Sequence, residues 1–252
     1  DGPRLPTLDL GDVLLVGCGA VGSAIALLLP LVGVRGRLTA VDGDRVELSN
    51  LNRCPLFFLP DVGRPKVDVM ARYLEHAEGL RVEPLPLWFD EALEQSHVFG
   101  TEHDLVIPVA DERAVRKAVQ FHRPSLQVYG TTGPDWQAFL ARHILGRDDC
   151  LLCRHPPEVP KTTCALGTLK PAASGTPPQA SMPFLPMAAA VLAVAEIVAL
   201  RLAAPTAENY ACLDFGGKLE SLGVDRCEPR SIICPCAKAR RAASSLVRRR
   251  CE

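Results

Sequence analysis

The chain has no excess of charge of either sign. Twenty-eight Lys and Arg stand against 29 Asp and Glu, a net charge of −1. That balance gives no electrostatic case for nucleic acid as the main partner. It also lacks an uninterrupted apolar run of about 20 residues, the length a membrane span needs. Its longest apolar segment, Met187–Leu202, contains Glu196 and Arg201 and reads as a buried core helix. No charged n-region precedes an apolar h-region, so no signal peptide is expected. No segment repeats. The opening Asp1-Gly2-Pro3 carries no initiator Met, which fits a piece of a longer protein.

The chain has 252 residues, 48% of them hydrophobic, enough for one large α/β domain with a full core. Its ten cysteines need not be staples in a chain of that size. Without a secretory segment a reducing, cytoplasmic setting is expected, and close Cys pairs then read as zinc ligands.

The organising stretch runs from Val13 to Arg53. Asp12–Val16 reads as a strand, Ala20–Leu29 as a helix and Arg37–Val41 as a second strand. Between the first two lies Gly17-Cys18-Gly19-Ala20-Val21-Gly22. In such a turn the first Gly permits a tight reversal, the second lets backbone approach a phosphate, and the third lets helix pack on sheet. The helix start offers free N–H groups and a positive dipole end to an anion. Asp42 closes the second strand, 20 residues beyond Gly22, where a carboxylate can accept from a ribose hydroxyl.

A nicotinamide-dependent oxidoreductase is the default reading of that turn. The residues after Asp42 argue for a different ligand. DGDRVELSNLNR gathers Asp42, Asp44, Asn50 and Arg53 into one loop, and GRPK follows with Lys66. A triphosphate commonly needs Arg, Lys and a metal-holding carboxylate, and this stretch supplies them.

GCGAVG, VDGDRVELSNLNR, DVGRPK, Asp111, a CLLC pair and TTCALG stand in this order along nearly the whole chain. Together they resemble the ThiF-like adenylating family of ubiquitin-activating enzymes and bacterial sulfur-carrier adenylyltransferases. The resemblance implies a Rossmann-like, doubly wound, mostly parallel sheet extended by antiparallel strands. It implies a single adenylation domain over 1–252, with a nucleotide-binding half (1–135) and a carrier-binding half (136–252). The implied activity is ATP- and Mg²⁺-dependent adenylation of the C-terminal glycine of a small ubiquitin-like or sulfur-carrier protein. Asn50, Arg53 and Lys66 would hold phosphates, and Asp111 would hold Mg²⁺. Lys66 could otherwise be a solvated surface lysine, and Asp111 a helix N-cap.

Cys150 and Cys153 form a CxxC whose expected partners are Cys234 and Cys236, a tetrahedral zinc site, with Cys227 in reserve. Cys164 lies in a Pro-rich loop over about 154–186, where family members carry a crossover loop. It is a candidate nucleophile for a thioester or sulfur relay, or a structural Cys. Cys18 and Cys212 are expected to be buried and inert, and His97 and His103 solvated. The family's Arg-bearing N-terminal arm has no counterpart here, since only Arg4 precedes the first strand. The resemblance implies a homodimer, but the missing arm counts against it and fits instead a non-catalytic pseudo-subunit that binds a ubiquitin-like protein, or a domain of a larger conjugation enzyme.

Overall fold

The computed structural model describes residues 7–95, 98, 103–133, 136–150, 182–203, 209–216 and 223–224. In chain order they form β1 (Leu8–Val16), α1 (Ala20–Leu31), β2 (Val34–Val41), α2 (Lys66–Leu74), β3 (Leu80–Leu85), α3 (Phe89–Glu94) and β4 (Leu105–Pro108). Then come α4 (Arg113–Phe121), β5 (Leu126–Thr132), β6 (Gln137–Ile144), α5 (Phe184–Arg201), β7 (Tyr210–Asp214) and the two-residue β8 (Gly223–Val224).

The strands make one sheet in the order β3-β2-β1-β4-β5-β6-β7-β8. The first five are parallel. The last three join antiparallel, β6 pairing with β5 from Leu126↔Ile144 to Thr132↔Ala138. This is the doubly wound, extended sheet expected. Thr131 and Thr132 close β5, each with a partner on β6.

Both faces of the parallel part are covered, as parallel sheets require. Val13 and Leu15 of β1 belong to one core with Ile25 and Leu29 of α1, Val67 and Met70 of α2, and Ala193 and Ile197 of α5. Leu14 and Val16, pointing the other way, join Phe89 and Ala92 of α3 and Val119 of α4. This alternation is the period of two that a strand imposes.

α5 starts at Phe184, inside the range expected for the crossover loop. Pro183 caps it and Pro186 falls in its first turn, where proline is tolerated. By length and composition alone α5 could cross a membrane. Here it packs against α1, β5 and β6, and Glu196 on its buried side pairs with Arg142 of β6 at 2.7 Å.

Candidate functional site

From β1 the sheet winds outward through β2 and β3 on one side, and through β4 and β5 on the other. A doubly wound sheet opens a crevice at such a reversal, beyond the carboxyl ends of the strands. The loops after β1, β2 and β4 meet there.

The three glycines of the β1–α1 turn are there for different reasons. Gly17 sits at φ +96°, and a Cβ on it would lie 2.6 Å from the Ala110 backbone nitrogen. A Cβ on Gly22 would lie 2.0 Å from the Gly17 carbonyl oxygen. Gly19 is unlike both, because no described atom comes within 4 Å of where its Cβ would be. Protein packing therefore demands the outer two glycines, while the middle one borders open space. Gly19 is also the N-cap of α1 and makes no side-chain cap. Helix geometry leaves the first-turn N–H groups without intrahelical partners, ready for an anion. Gly22→Ala is expected to destabilise the fold by about 2 kcal/mol or more, since backbone rather than a flexible side chain must move. A urea melt unchanged from wild type would contradict that.

Asp42 is anchored at both carboxylate oxygens. The Cys18 N–H donates to Oδ2 at 2.6 Å and the Asp44 N–H to Oδ1 at 2.8 Å. Burial pushes its carboxyl up, against the pull of the Lys66 charge and the two N–H groups. Each oxygen keeps a second lone pair, so the group is oriented and still able to accept from a hydroxyl. Cys18 contributes here through its backbone. Its thiol is buried, and burial together with the Asp42 charge pushes it up, so it is inert as expected. Burial likewise raises the Cys54 thiol. Cys212, expected to be buried, is half-exposed on β7 instead.

Lys66 opens α2 and is only 7% exposed, which excludes the solvated-lysine reading. Its Nζ donates to Asp44 Oδ2 at 2.6 Å. Burial alone would lower its pKa, but the charges of Asp42 and Asp44 hold it above the ordinary lysine value. The excursion from Asp44 to Lys66 closes on itself. The Lys66 N–H meets the Asp44 carbonyl at 3.0 Å, and the Val46 N–H meets the Arg64 carbonyl at 2.8 Å. A buried Asp61 pins the excursion's far end, accepting from the Phe58 N–H, Arg72 and Tyr73.

Asn50 is buried in the 3₁₀ turn Leu48–Asn50, where its Oδ1 accepts from the Glu47 N–H at 2.9 Å. It shapes the loop and keeps its amide N–H₂ for another acceptor. The Arg53 guanidinium is half-exposed and donates through Nη1 to the Ser49 carbonyl.

Asp111 follows β4 and is exposed. It is not the helix N-cap, because that position belongs to Glu112. Glu112 went unnoticed in the sequence. The residue is exposed overall, yet partial desolvation raises its carboxyl; its own backbone N–H pulls it down, and the charges of Asp111, Asp42 and Asp44 raise it again. The post-β2 and post-β4 loops thus face each other across the crevice, with four carboxyls and one buried lysine. Among the described residues no group of three His, Cys, Asp or Glu is arranged to hold a metal ion. Cys150 is fully buried just beyond β6. Cys153, Cys164, Cys234 and Cys236 lie outside the described residues, as does His97. His103, expected to be solvated, is buried.

Residues 6–226 match the ThiF family. The chain is 39% identical over 108 residues to the molybdopterin-synthase adenylyltransferase of Escherichia coli, covering 41% of each. It is 30% identical over 185 residues to the sulfur carrier protein adenylyltransferase of Thermus thermophilus, covering 63% of this chain and 61% of that protein. It therefore spans less than two thirds of either relative. The solved structure of E. coli MccB with ATP superposes with a TM-score of 0.68 at 20% identity, covering 92% of this chain and 66% of that one. That likeness is one of fold. With a match of this extent, the chain belongs to the ThiF family.

Proposed function

We propose that this chain binds ATP at the β1–α1 turn and adenylates the C-terminal glycine of a small ubiquitin-like or sulfur-carrier protein. The observation that carries the reading is the buried Lys66, held by Asp44 and facing Asp42, beside the open space at Gly19. A dinucleotide's pyrophosphate needs little beyond a helix terminus. A permanently charged, desolvated lysine suits the extra phosphate charge of a triphosphate. Two relatives named as adenylyltransferases support the same reading.

The carrier's carboxylate is already ionised, so no general base is needed. Its oxygen attacks the α-phosphorus, and pyrophosphate leaves as the acyl–phosphate bond forms. The chain's task is to position the reactants and neutralise charge. The α1 N-terminus, Lys66 and Arg53 would meet the phosphates, and Asp42 would meet the ribose. Asp111 would hold Mg²⁺, which commonly takes one or two carboxylates together with phosphate oxygens. Exposed Trp136 and Phe184 stand on the same rim, their rings 5.8 Å apart, where a carrier's tail could pack.

The rest of the proposal is coarser. Cys150 with Cys153, Cys234 and Cys236 would hold a structural zinc. Cys164 would take the acyl group if a thioester or sulfur transfer follows. The chain would act in the cytoplasm as a homodimer or within a larger conjugation enzyme. The test is carrier-dependent exchange of labelled pyrophosphate into ATP. Exchange in the wild type, reduced by about 100-fold or more in Lys66→Met, is expected. Wild-type exchange in the variant would remove Lys66 from the site. NAD⁺ binding with hydride transfer would favour the oxidoreductase instead.

A further inference from the structure

We infer that Trp88 is the stacking wall for the nucleotide's base, an inference that rests on reading the crevice as an ATP site. Trp88 lies three residues beyond the end of β3 and is 50% exposed, so part of its ring is open to a ligand. Its ring sits against the loop that carries Asp42. A Cβ on Gly43 would lie 2.6, 2.8 and 2.9 Å from three of the indole ring carbons. Gly43 has no left-handed φ, so the space the indole occupies is what calls for glycine there.

The backbone around Trp88 is fixed from both sides. Its N–H donates to Glu91 Oε2 at 3.0 Å, and the next residue, Phe89, is buried in the core. Leu85, closing β3, accepts from the Asp42 N–H at 3.3 Å and from the Leu87 N–H at 2.9 Å. The indole is thus tethered to the residue that would hold the ribose.

Sheet order supplies the direction. Phosphates belong at the end of β1 and the ribose at the end of β2, on Asp42. Neighbouring strands are about 4.8 Å apart. A nucleotide laid outward along that line carries its base over the end of β3, where the free part of the indole stands. Every base has a π-face, and aromatic stacking is strongest for the large purine surface. The side chain would thus favour purine over pyrimidine nucleotides.

The two tryptophans, Trp88 and Trp136, make the test direct. In a Trp136→Phe background the remaining fluorescence comes from Trp88. ATP should quench it, while inorganic tripolyphosphate, which has no base, should not. By calorimetry Trp88→Ala should bind ATP about tenfold more weakly than wild type, and Trp88→Phe should stay near wild type. Gly43→Ala, whose methyl would displace the indole, should behave like Trp88→Ala. If ATP binds the wild type by calorimetry, yet Trp88 fluorescence is unchanged and Trp88→Ala binds equally well, this inference fails while the ATP site stands. If ATP gives neither heat nor quenching with the wild type, the ATP reading fails and the inference fails with it.

Discussion

Replacing Asp111 with alanine is expected to lower pyrophosphate exchange by at least about 100-fold while leaving the melting temperature unchanged. The two halves of that expectation have separate reasons. Stability should not move because the carboxylate is exposed and is not the α4 cap, which falls at Glu112. Nothing among the described hydrogen bonds depends on its side chain. Activity should fall because Asp111 stands at the carboxyl end of β4, opposite Asp42 and Asp44 across the crevice. Each of those carboxylates already has work in the protein, Asp42 on two backbone N–H groups and Asp44 on Lys66. Asp111 is uncommitted, as a residue that meets metal only with nucleotide should be. Exchange retained in Asp111→Ala would end its assignment to magnesium. A large fall in melting temperature would instead show a structural role.

Arg142→Met is expected to cost about 3–5 kcal/mol of stability. Arg142 is 1% exposed, with Nε on Asp148 at 3.1 Å and Nη1 on Glu196 at 2.7 Å. Removing the guanidinium takes the buried cation away from both carboxylates, leaving Asp148 with the more distant and more exposed Arg147 at 3.8 Å. Burial opposes the arginine's charge, and its two hydrogen-bonded partners hold its pKa above the ordinary value all the same. The network continues beyond the pair. Asp148 accepts from the Ile144 N–H at 3.0 Å, and the Arg142 N–H donates to the Asn209 carbonyl at 2.9 Å. It therefore ties β6, α5 and the start of β7 together. Adding Glu196→Leu to Arg142→Met should recover part of the loss, because one of the stranded charges goes with it. Urea melts of the single and double variants measure both effects. Equal stability of Arg142→Met and wild type would contradict the account.

That network was largely illegible in the sequence, although its signal was present. Glu196 in an apolar helix and Arg142 in the strand-like run AFLARHIL are opposite charges in two elements that both read as core. Only the packing of α5 on β6 shows that they meet. Local patterns carried more of the nucleotide half. The continuous apolar run of β1, the glycine spacing and the acid ending β2 all act within a few residues, so they could be read without the fold. Glu112 could not, because what shifts it is first the desolvation of its carboxyl in the fold, and then charges that include Asp42 and Asp44, some 70 residues earlier in the chain. β1 also begins at Leu8 rather than Asp12, since the polar stretch Asp9–Asp12 hides a strand interrupted by an irregularity in its pairing with β2. Lys66 shows the same limit from the other side. Its motif suggested a phosphate ligand, but its charge at the N-terminal end of a helix is locally unfavourable. Asp44, 22 residues earlier, supplies the compensation.

The most direct test of the central claim is calorimetric titration of the protein with Mg-ATP and, separately, with NAD⁺. The account predicts saturable ATP binding that weakens in Lys66→Met, with no heat from NAD⁺. NAD⁺ binding without ATP binding would contradict it and leave a dinucleotide-binding domain in its place.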